Sequence, residues 1–155
     1  MRRVLPLLIC LFAAAPSAAA DDPAAFSAAF TGSWKCGSVP WTFAALEPGS
    51  PWTRVTYASG AGAGTAIVGY VEGLKAFVYR DFHADGSYAD ASAPAPLNGV
   101  WNFSGPYYFP GAPAPLNGRI RWVQKTRDRF DREFGTLREG ALVPMGGDTC
   151  TRTGT

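Results

Sequence analysis

The chain has 155 residues, with 14 basic and 12 acidic side chains. Arg2 and Arg3 lie in an N-terminal segment that we expect to be removed, and the remaining balance of 12 against 12 disfavours nucleic acid or a membrane surface as a partner. What remains is long enough for one domain with its own core. Five Trp, six Tyr, ten Phe, 18 Gly and 13 Pro indicate a β-rich fold with many turns.

The N-terminal segment has the three parts of a secretion signal. Residues 1–3 form a basic head, residues 4–15 are apolar, and residues 17–20 are the small side chains that a signal peptidase requires. We therefore predict a signal peptide at residues 1–20 and a mature domain at residues 21–155, secreted or periplasmic. No second apolar run is long enough to predict a membrane span.

Three cysteines occur in the chain, and Cys10 would leave with the signal peptide. Cys36 and Cys150 then remain near the two ends of the mature domain. Because an oxidising compartment favours disulfides, we predict that these two residues are bonded and that the bond ties the first strand to the last.

One short helix is predicted before the first strand. Pro23 suits a first helical position, Phe26 and Phe30 follow with helical i, i+4 spacing, and Gly32 ends the run. Short strands joined by turns are predicted for the rest, which indicates an antiparallel barrel or sandwich. The predicted strands cover residues 32–36, 51–58, 65–72, 75–83, 87–92, 100–104, 119–126, 129–137, 141–145 and 148–152.

A seven-residue segment, Ala-Pro-Ala-Pro-Leu-Asn-Gly, occurs at residues 93–99 and again at residues 112–118. Proline favours extended backbone and Asn-Gly favours a turn, so both copies are predicted to be semi-rigid surface loops that lead into strands. Docking of a protein partner on these proline-rich loops is the alternative to a simple duplication.

The strand that opens the predicted sheet carries Gly32-x-Trp34 directly after the short helix. With the up-and-down order of strands, it resembles the calycin group of lipocalins, fatty-acid-binding proteins and nitrobindins. Residues 32–37 partly match the Gly-x-Trp-x-Gly-x-Gly opening of nitrobindin-like barrels, with Cys36 in place of the middle glycine. The chain also resembles secreted bacterial proteins that open with Gly-x-Trp-x-Cys and end near Thr-Cys-x-Arg.

This resemblance implies an all-β fold, a single antiparallel up-and-down barrel of about eight to ten strands with one short N-terminal helix. In calycins an arginine from a late strand packs over the opening tryptophan, a role that falls here to Arg152 or Arg132. Nitrobindin-like proteins hold haem through a histidine late in the chain, whereas the single histidine here, His83, lies in the middle. We therefore predict no cofactor.

Asp85-Gly86 is the strongest short hairpin signal in the chain. A symmetric hairpin around it would place Asp81 opposite Asp90 and His83 opposite Tyr88. Asp81, His83 and Asp90 would then form a candidate divalent-metal site, which would allow a metal-dependent enzyme. The alternative is a solvated hairpin tip. No catalytic residue is predicted elsewhere, because the chain lacks a Gly-x-Ser-x-Gly elbow, a free cysteine and a phosphate-binding loop.

Aromatic residues that share strand faces predict the wall of an internal pocket. Arg132 shares a face with Phe130 and Phe134, so it points inward if they do and would anchor the polar end of a ligand. The alternative for Arg132 is pairing with an internal carboxylate or stacking on Trp34. The predicted ligand-binding residues are Trp34, Phe77, Tyr79, Trp101, Phe103, Trp122 and Arg132.

Two functions follow from this reading of the sequence. The first is noncovalent binding of a small hydrophobic or amphipathic molecule inside the barrel. The second is a structural or protein-interaction module of the cell envelope whose barrel is solid. The sequence identifies neither the ligand nor a protein partner.

Overall fold

The computed structural model of the protein describes residues 22–59 and 62–154. The predicted signal peptide, with Cys10, lies outside the described residues. The predicted class is confirmed: the described chain is all-β, with one short helix, α1 (Ala25–Phe30), and one 3₁₀ helix (Glu72–Leu74). The ten strands are β1 (Gly32–Cys36), β2 (Val39–Ala45), β3 (Thr53–Ser59), β4 (Gly62–Val71), β5 (Ala76–His83), β6 (Tyr88–Ala93), β7 (Val100–Tyr108), β8 (Leu116–Thr126), β9 (Arg129–Arg138) and β10 (Ala141–Gly154).

The strands form one closed antiparallel barrel in which each strand pairs with its neighbours in sequence. β1 closes the barrel by pairing with β10, and Cys36 lies directly opposite Cys150 in that pair. The two residues are joined by a disulfide, as predicted, across a sequence separation of 114. The covalent link therefore lies where the sheet closes on itself.

β2 is a strand that the sequence analysis missed. The turn at Gly37 and Ser38 is tight, with Gly37 at a φ of +58°, and it brings Val39 directly opposite Cys36. Trp41 is buried and faces the barrel interior, while its neighbours in β2 are exposed. Residues 39–45 show the alternation typical of a strand, although Pro40 weakens that signal because proline interrupts most sheets.

β10 is one continuous strand, and the predicted break between residues 145 and 148 is wrong. A register shift between Pro144 and Gly146 takes the place of a turn. A Cβ added at Gly146 would come within 2.6 Å of the Phe134 ring, so glycine here makes room for that ring. Two adjacent glycines therefore mark a close approach between strands.

The β5–β6 hairpin has a different register from the one predicted. Three residues form its loop, His83 and Ser87 close it, and Gly86 has the left-handed φ of +86° that such loops require. Asp81 therefore lies opposite Ala89, not Asp90. A single extra loop residue shifts every pair in the hairpin by one position.

The two copies of the repeated segment adopt different structures. In the first copy Asn98 and Gly99 have positive φ values of 53° and 72° and form the predicted turn. In the second copy Asn117 and Gly118 lie in β8, opposite Pro106 and Gly105 of β7. The predicted Asn-Gly turn is therefore wrong for the second copy, because pairing with β7 extends its backbone.

Helix α1 closes one end of the barrel. Phe26 and Phe30 are completely buried, and their rings pack against Trp101, Trp122 and the surrounding aromatic residues. The buried cluster at this end also contains Trp34, Phe43, Phe77, Phe103 and Phe130. Packed rings therefore fill the interior at this end.

The opening tryptophan is held as the calycin resemblance implied. The Trp34 indole donates a hydrogen bond to the carbonyl of Phe30 at 2.7 Å. The Arg152 guanidinium lies 4.2 Å from the centre of the Trp34 ring and donates to the backbone carbonyls of Thr31 and Ala29. Of the two arginines considered for this role, Arg152 therefore occupies it.

Candidate functional site

A cavity of about 330 Å³ lies in the barrel beyond the packed aromatic end. Inward positions along β5 run from Phe77 in the packed core through Tyr79 and Asp81 to His83, so side chains become more polar away from α1. We call the end that carries His83 and the half-exposed Phe109 and Phe134 the open end. The cavity is lined by Val39, Trp41, Tyr57, Tyr79, Asp81, His83, Tyr107, Phe109, Ile120, Arg132 and Phe134.

Asp81 is the centre of a hydrogen-bond network in the cavity wall, and only 5 % of it is exposed. The Tyr57 hydroxyl donates to its Oδ1 at 2.7 Å, and the Tyr79 hydroxyl donates to its Oδ2 at 2.7 Å. His83 Nε2 lies 3.2 Å from the same Oδ2 atom. The buried carboxylate is therefore satisfied by three donors when His83 is protonated.

The network displaces the acid–base equilibria of its members. Burial alone would raise the pKa of Asp81, but hydrogen bonds from His83, Tyr57 and Tyr79 outweigh it and hold that pKa below its ordinary value. The hydrogen bond to Asp81 and its negative charge raise the pKa of His83, against the opposing effect of burial. Asp81 and His83 therefore favour the charged pair.

We expect this pair to stabilise the fold most between the lowered pKa of Asp81 and the raised pKa of His83. A raised folded-state pKa contributes stability below the unfolded pKa of His83, about 6.5, and that contribution is lost as pH rises through the folded value. The contribution from Asp81 is lost as pH falls through its own lowered value. Urea denaturation of the protein and of His83→Gln across pH should show the largest difference at about pH 5–6.

The chain supplies a direct check, because His83 is its only histidine. An NMR titration of the ring protons should give a pKa above 6.5 in the protein and a lower one in Asp81→Asn. Equal values in the two proteins would contradict the assigned coupling.

Arg132 forms the second polar group of the cavity. Its Nε and Nη2 atoms donate to the two carboxylate oxygens of Asp148 at 3.1 and 2.8 Å, in the bidentate geometry that suits this pair. The guanidinium lies 4.5 Å from the centre of the Trp41 ring and 5.7 Å from that of Phe134. Arg132 therefore points inward, but an internal carboxylate already balances its charge.

Tyr107 contributes a hydroxyl group of a different kind. Its oxygen is buried in the cavity wall, and among the described residues it has no hydrogen-bond partner. Burial and the nearby charge of Asp81 raise the pKa of this hydroxyl, so it keeps its proton. Burying such a group without a partner costs stability, which makes Tyr107 a position where a bound molecule would compensate.

The structure divides the predicted ligand-binding residues into two groups. Tyr79 and Arg132 line the cavity. The other five belong to the packed core cluster and are at most 2 % exposed: Trp34, Phe77, Trp101, Phe103 and Trp122.

The predicted metal ligands are not brought together. Asp81 and His83 are neighbours, but Asp90 lies opposite Arg80 and pairs with it, Nε to Oδ1, at 3.4 Å. The predicted opposition of Asp81 and Asp90 is wrong because of the one-residue shift in hairpin register. Within the described residues, one triad of such side chains converges, Cys36, Asp148 and Cys150, and its two cysteines are bonded to each other.

Most of the cavity wall was not predicted. Tyr57 shares the inward face of β3 with the buried Val55, a pattern visible in the sequence once residues 53–59 are taken as a strand. Asp148 could be found from its pairing with Arg132 across β9 and β10, but only with the irregularity after Pro144 placed correctly. Trp41 belongs to the strand that the analysis missed.

Comparison with known proteins found no matching family model and no matching curated protein. The structure places the protein in the class of closed antiparallel β-barrels with ten strands. This architecture is compatible with a calycin-like fold. None of the helices in the described part of the chain has the length and apolar character needed to span a membrane.

Proposed function

We propose that this protein is a binding protein that holds one small apolar or amphipathic molecule at the open end of its barrel. The observation that carries the proposal is the cavity of about 330 Å³, which falls at the small end of the range of ligand sites. Aromatic and aliphatic side chains supply most of its wall, and a few polar groups converge in it. Such a combination is typical of sites that recognise small molecules.

The alternative of a solid barrel is less well supported by the packing. Aromatic rings fill the interior at the α1 end, yet the cavity occupies the space between Tyr79 and the open end. Its wall includes Trp41 and Tyr57, whose rings stack on each other with their centres 4.3 Å apart and an interplanar angle of 14°. A wall made mostly of such side chains favours an apolar ligand body.

We place this activity outside the cytoplasm, in a secreted or periplasmic protein cleaved after residue 20. The Cys36–Cys150 disulfide supports that location, because disulfides persist in oxidising compartments. N-terminal sequencing of the exported protein would identify the cleavage site.

The test is saturable binding of N-phenyl-1-naphthylamine, an uncharged probe whose fluorescence rises in apolar surroundings. We expect one probe per chain, confirmed by native mass spectrometry. Ile120→Trp, which adds volume inside the cavity, should weaken binding about 5- to 150-fold, because overpacking a filled site costs about 1–3 kcal/mol.

The matched control is Ile67→Trp, the same substitution at a half-buried position of β4 that does not line the cavity. It should leave binding unchanged. If Ile120→Trp does not fold, Val39→Trp at the cavity wall replaces it. Absence of saturable binding by the natural chain, or equal binding by the cavity and control variants, would contradict the proposal.

A further inference from the structure

The hydrogen-bonding groups of the cavity differ in how much capacity they have left. Asp81 is the acceptor, and three donors already converge on its two oxygens: Tyr57, Tyr79 and His83. A ligand amine or ammonium group would therefore compete with three existing partners for this carboxylate. A hydrogen-bond donor on the ligand therefore adds little binding free energy in this cavity.

The unused capacity lies on the donor side. The Tyr107 hydroxyl is buried in the cavity wall without a partner among the described residues. A phenol donates hydrogen bonds better than it accepts them. An acceptor atom on the ligand would therefore satisfy a cavity hydroxyl that has no partner within residues 22–59 and 62–154.

The charges of the cavity occur as two internal pairs. Asp81 is paired with His83, and Arg132 is paired in bidentate fashion with Asp148. A ligand carboxylate would bring a second negative charge to Arg132 beside Asp148, or be buried near the negative charge of Asp81. Burying an unpaired charge costs far more than burying a neutral polar group, so the cavity disfavours ions of either sign.

We infer that the ligand is an uncharged molecule with an apolar body and a carbonyl-type acceptor that receives a hydrogen bond from Tyr107. The body lies among the aromatic and aliphatic side chains that line the cavity. This inference rests on the proposed function and narrows it to one chemical class. It also makes Tyr107 the residue that determines specificity.

Four probes that share one naphthalene skeleton separate the classes of ligand. They are 2-acetylnaphthalene, 2-ethylnaphthalene, 2-naphthoate and 2-(aminomethyl)naphthalene, which present a ketone, a hydrocarbon, an anion and a cation. By isothermal titration calorimetry the ketone should bind about 3- to 10-fold more tightly than the hydrocarbon, the gain from one net hydrogen bond. The two ions should bind at least about tenfold more weakly than the ketone.

Tyr107→Phe isolates the hydroxyl. We expect the variant to lose the preference for the ketone over the hydrocarbon while it keeps its affinity for the hydrocarbon. Without ligand it should be at least as stable as the natural protein, because an unsatisfied buried hydroxyl has been removed. The matched control is Tyr108→Phe, whose ring is exposed and stacks on Tyr88, and which should change neither ratio nor stability.

The outcomes distinguish this inference from the proposed function. If the hydrocarbon or either ion binds as tightly as the ketone, or if Tyr107→Phe keeps the preference, the ligand class is wrong while the binding function stands. If none of the four probes binds, the ligand class is again overturned. Binding of N-phenyl-1-naphthylamine then shows whether the proposed function fails with it.

Discussion

Replacement of both bonded cysteines, in Cys36→Ala/Cys150→Ala, should lower the free energy of unfolding by about 4–5 kcal/mol. The disulfide closes a loop with a sequence separation of 114, and the chain-entropy model gives about 4.7 kcal/mol for loops of that order. Both residues are at most 1 % exposed, so the two alanines would also leave a small void in the barrel. Urea denaturation followed by Trp fluorescence measures the difference.

The same experiment contains its control. The natural chain, unfolded, reduced and measured in the presence of a reductant, should lose most of the same free energy, because it lacks the covalent link but keeps both sulfur atoms. The reductant should not affect the variant itself. A loss below about 1 kcal/mol would mean that pairing of β1 with β10 closes the barrel without help from the covalent link.

The fold could be predicted because the alternation within strands and the pairing of two remote cysteines indicated the same architecture. Trp34 and Cys36 alternate with polar residues in the first strand, and the remote Cys150 identified the strand that must lie beside it. Buried and exposed residues alternate in β2 as well, but its Pro40 is a residue type that most strands exclude. The paired glycines after Met145 resembled a turn because glycine serves turns and close approaches alike.

The candidate site could be predicted only in part. Its residues are neighbours because they lie at the same level along the barrel axis. Phe77 and Asp81 share one face of β5, yet one is in the packed core and the other is in the cavity. Strand tilt and stagger set that level, and neither can be read from a single strand. Helix α1 decides which end is filled, since Phe26 and Phe30 occupy the space between Trp101 and Trp122.

One additional residue in the β5–β6 loop explains why the predicted metal ligands do not come together. The three-residue loop with Gly86 moves Asp90 next to Arg80 on the outer face and leaves Asp81 to Tyr57 and Tyr79 inside. Because side chains alternate along a strand, a shift of one residue exchanges the inner and outer faces of β6 relative to β5. The same Asp-Gly signal is compatible with either loop length, so the sequence does not choose between them.

Removal of one aromatic ring from the end of the barrel that α1 closes should also lower the free energy of unfolding strongly. Phe30→Ala is expected to lower the free energy of unfolding by about 3–5 kcal/mol, the usual cost of truncating a fully buried phenylalanine. The ring contacts Phe43, Trp34 and Phe130 across the barrel axis, so few side chains can move to fill the void. Its loss would also remove a contact that holds the α1 carbonyl beneath the Trp34 indole.

Phe82→Ala supplies the matched comparison, because the same truncation falls on a ring of β5 that is 48 % exposed. It should cost under about 1 kcal/mol, since surface substitutions usually change stability little. Similar losses in the two variants would show that α1 does not pack as the floor of the barrel. A large loss only in Phe30→Ala, with N-phenyl-1-naphthylamine still bound in the native state, would show that the closed end supports the fold and the open end holds the ligand.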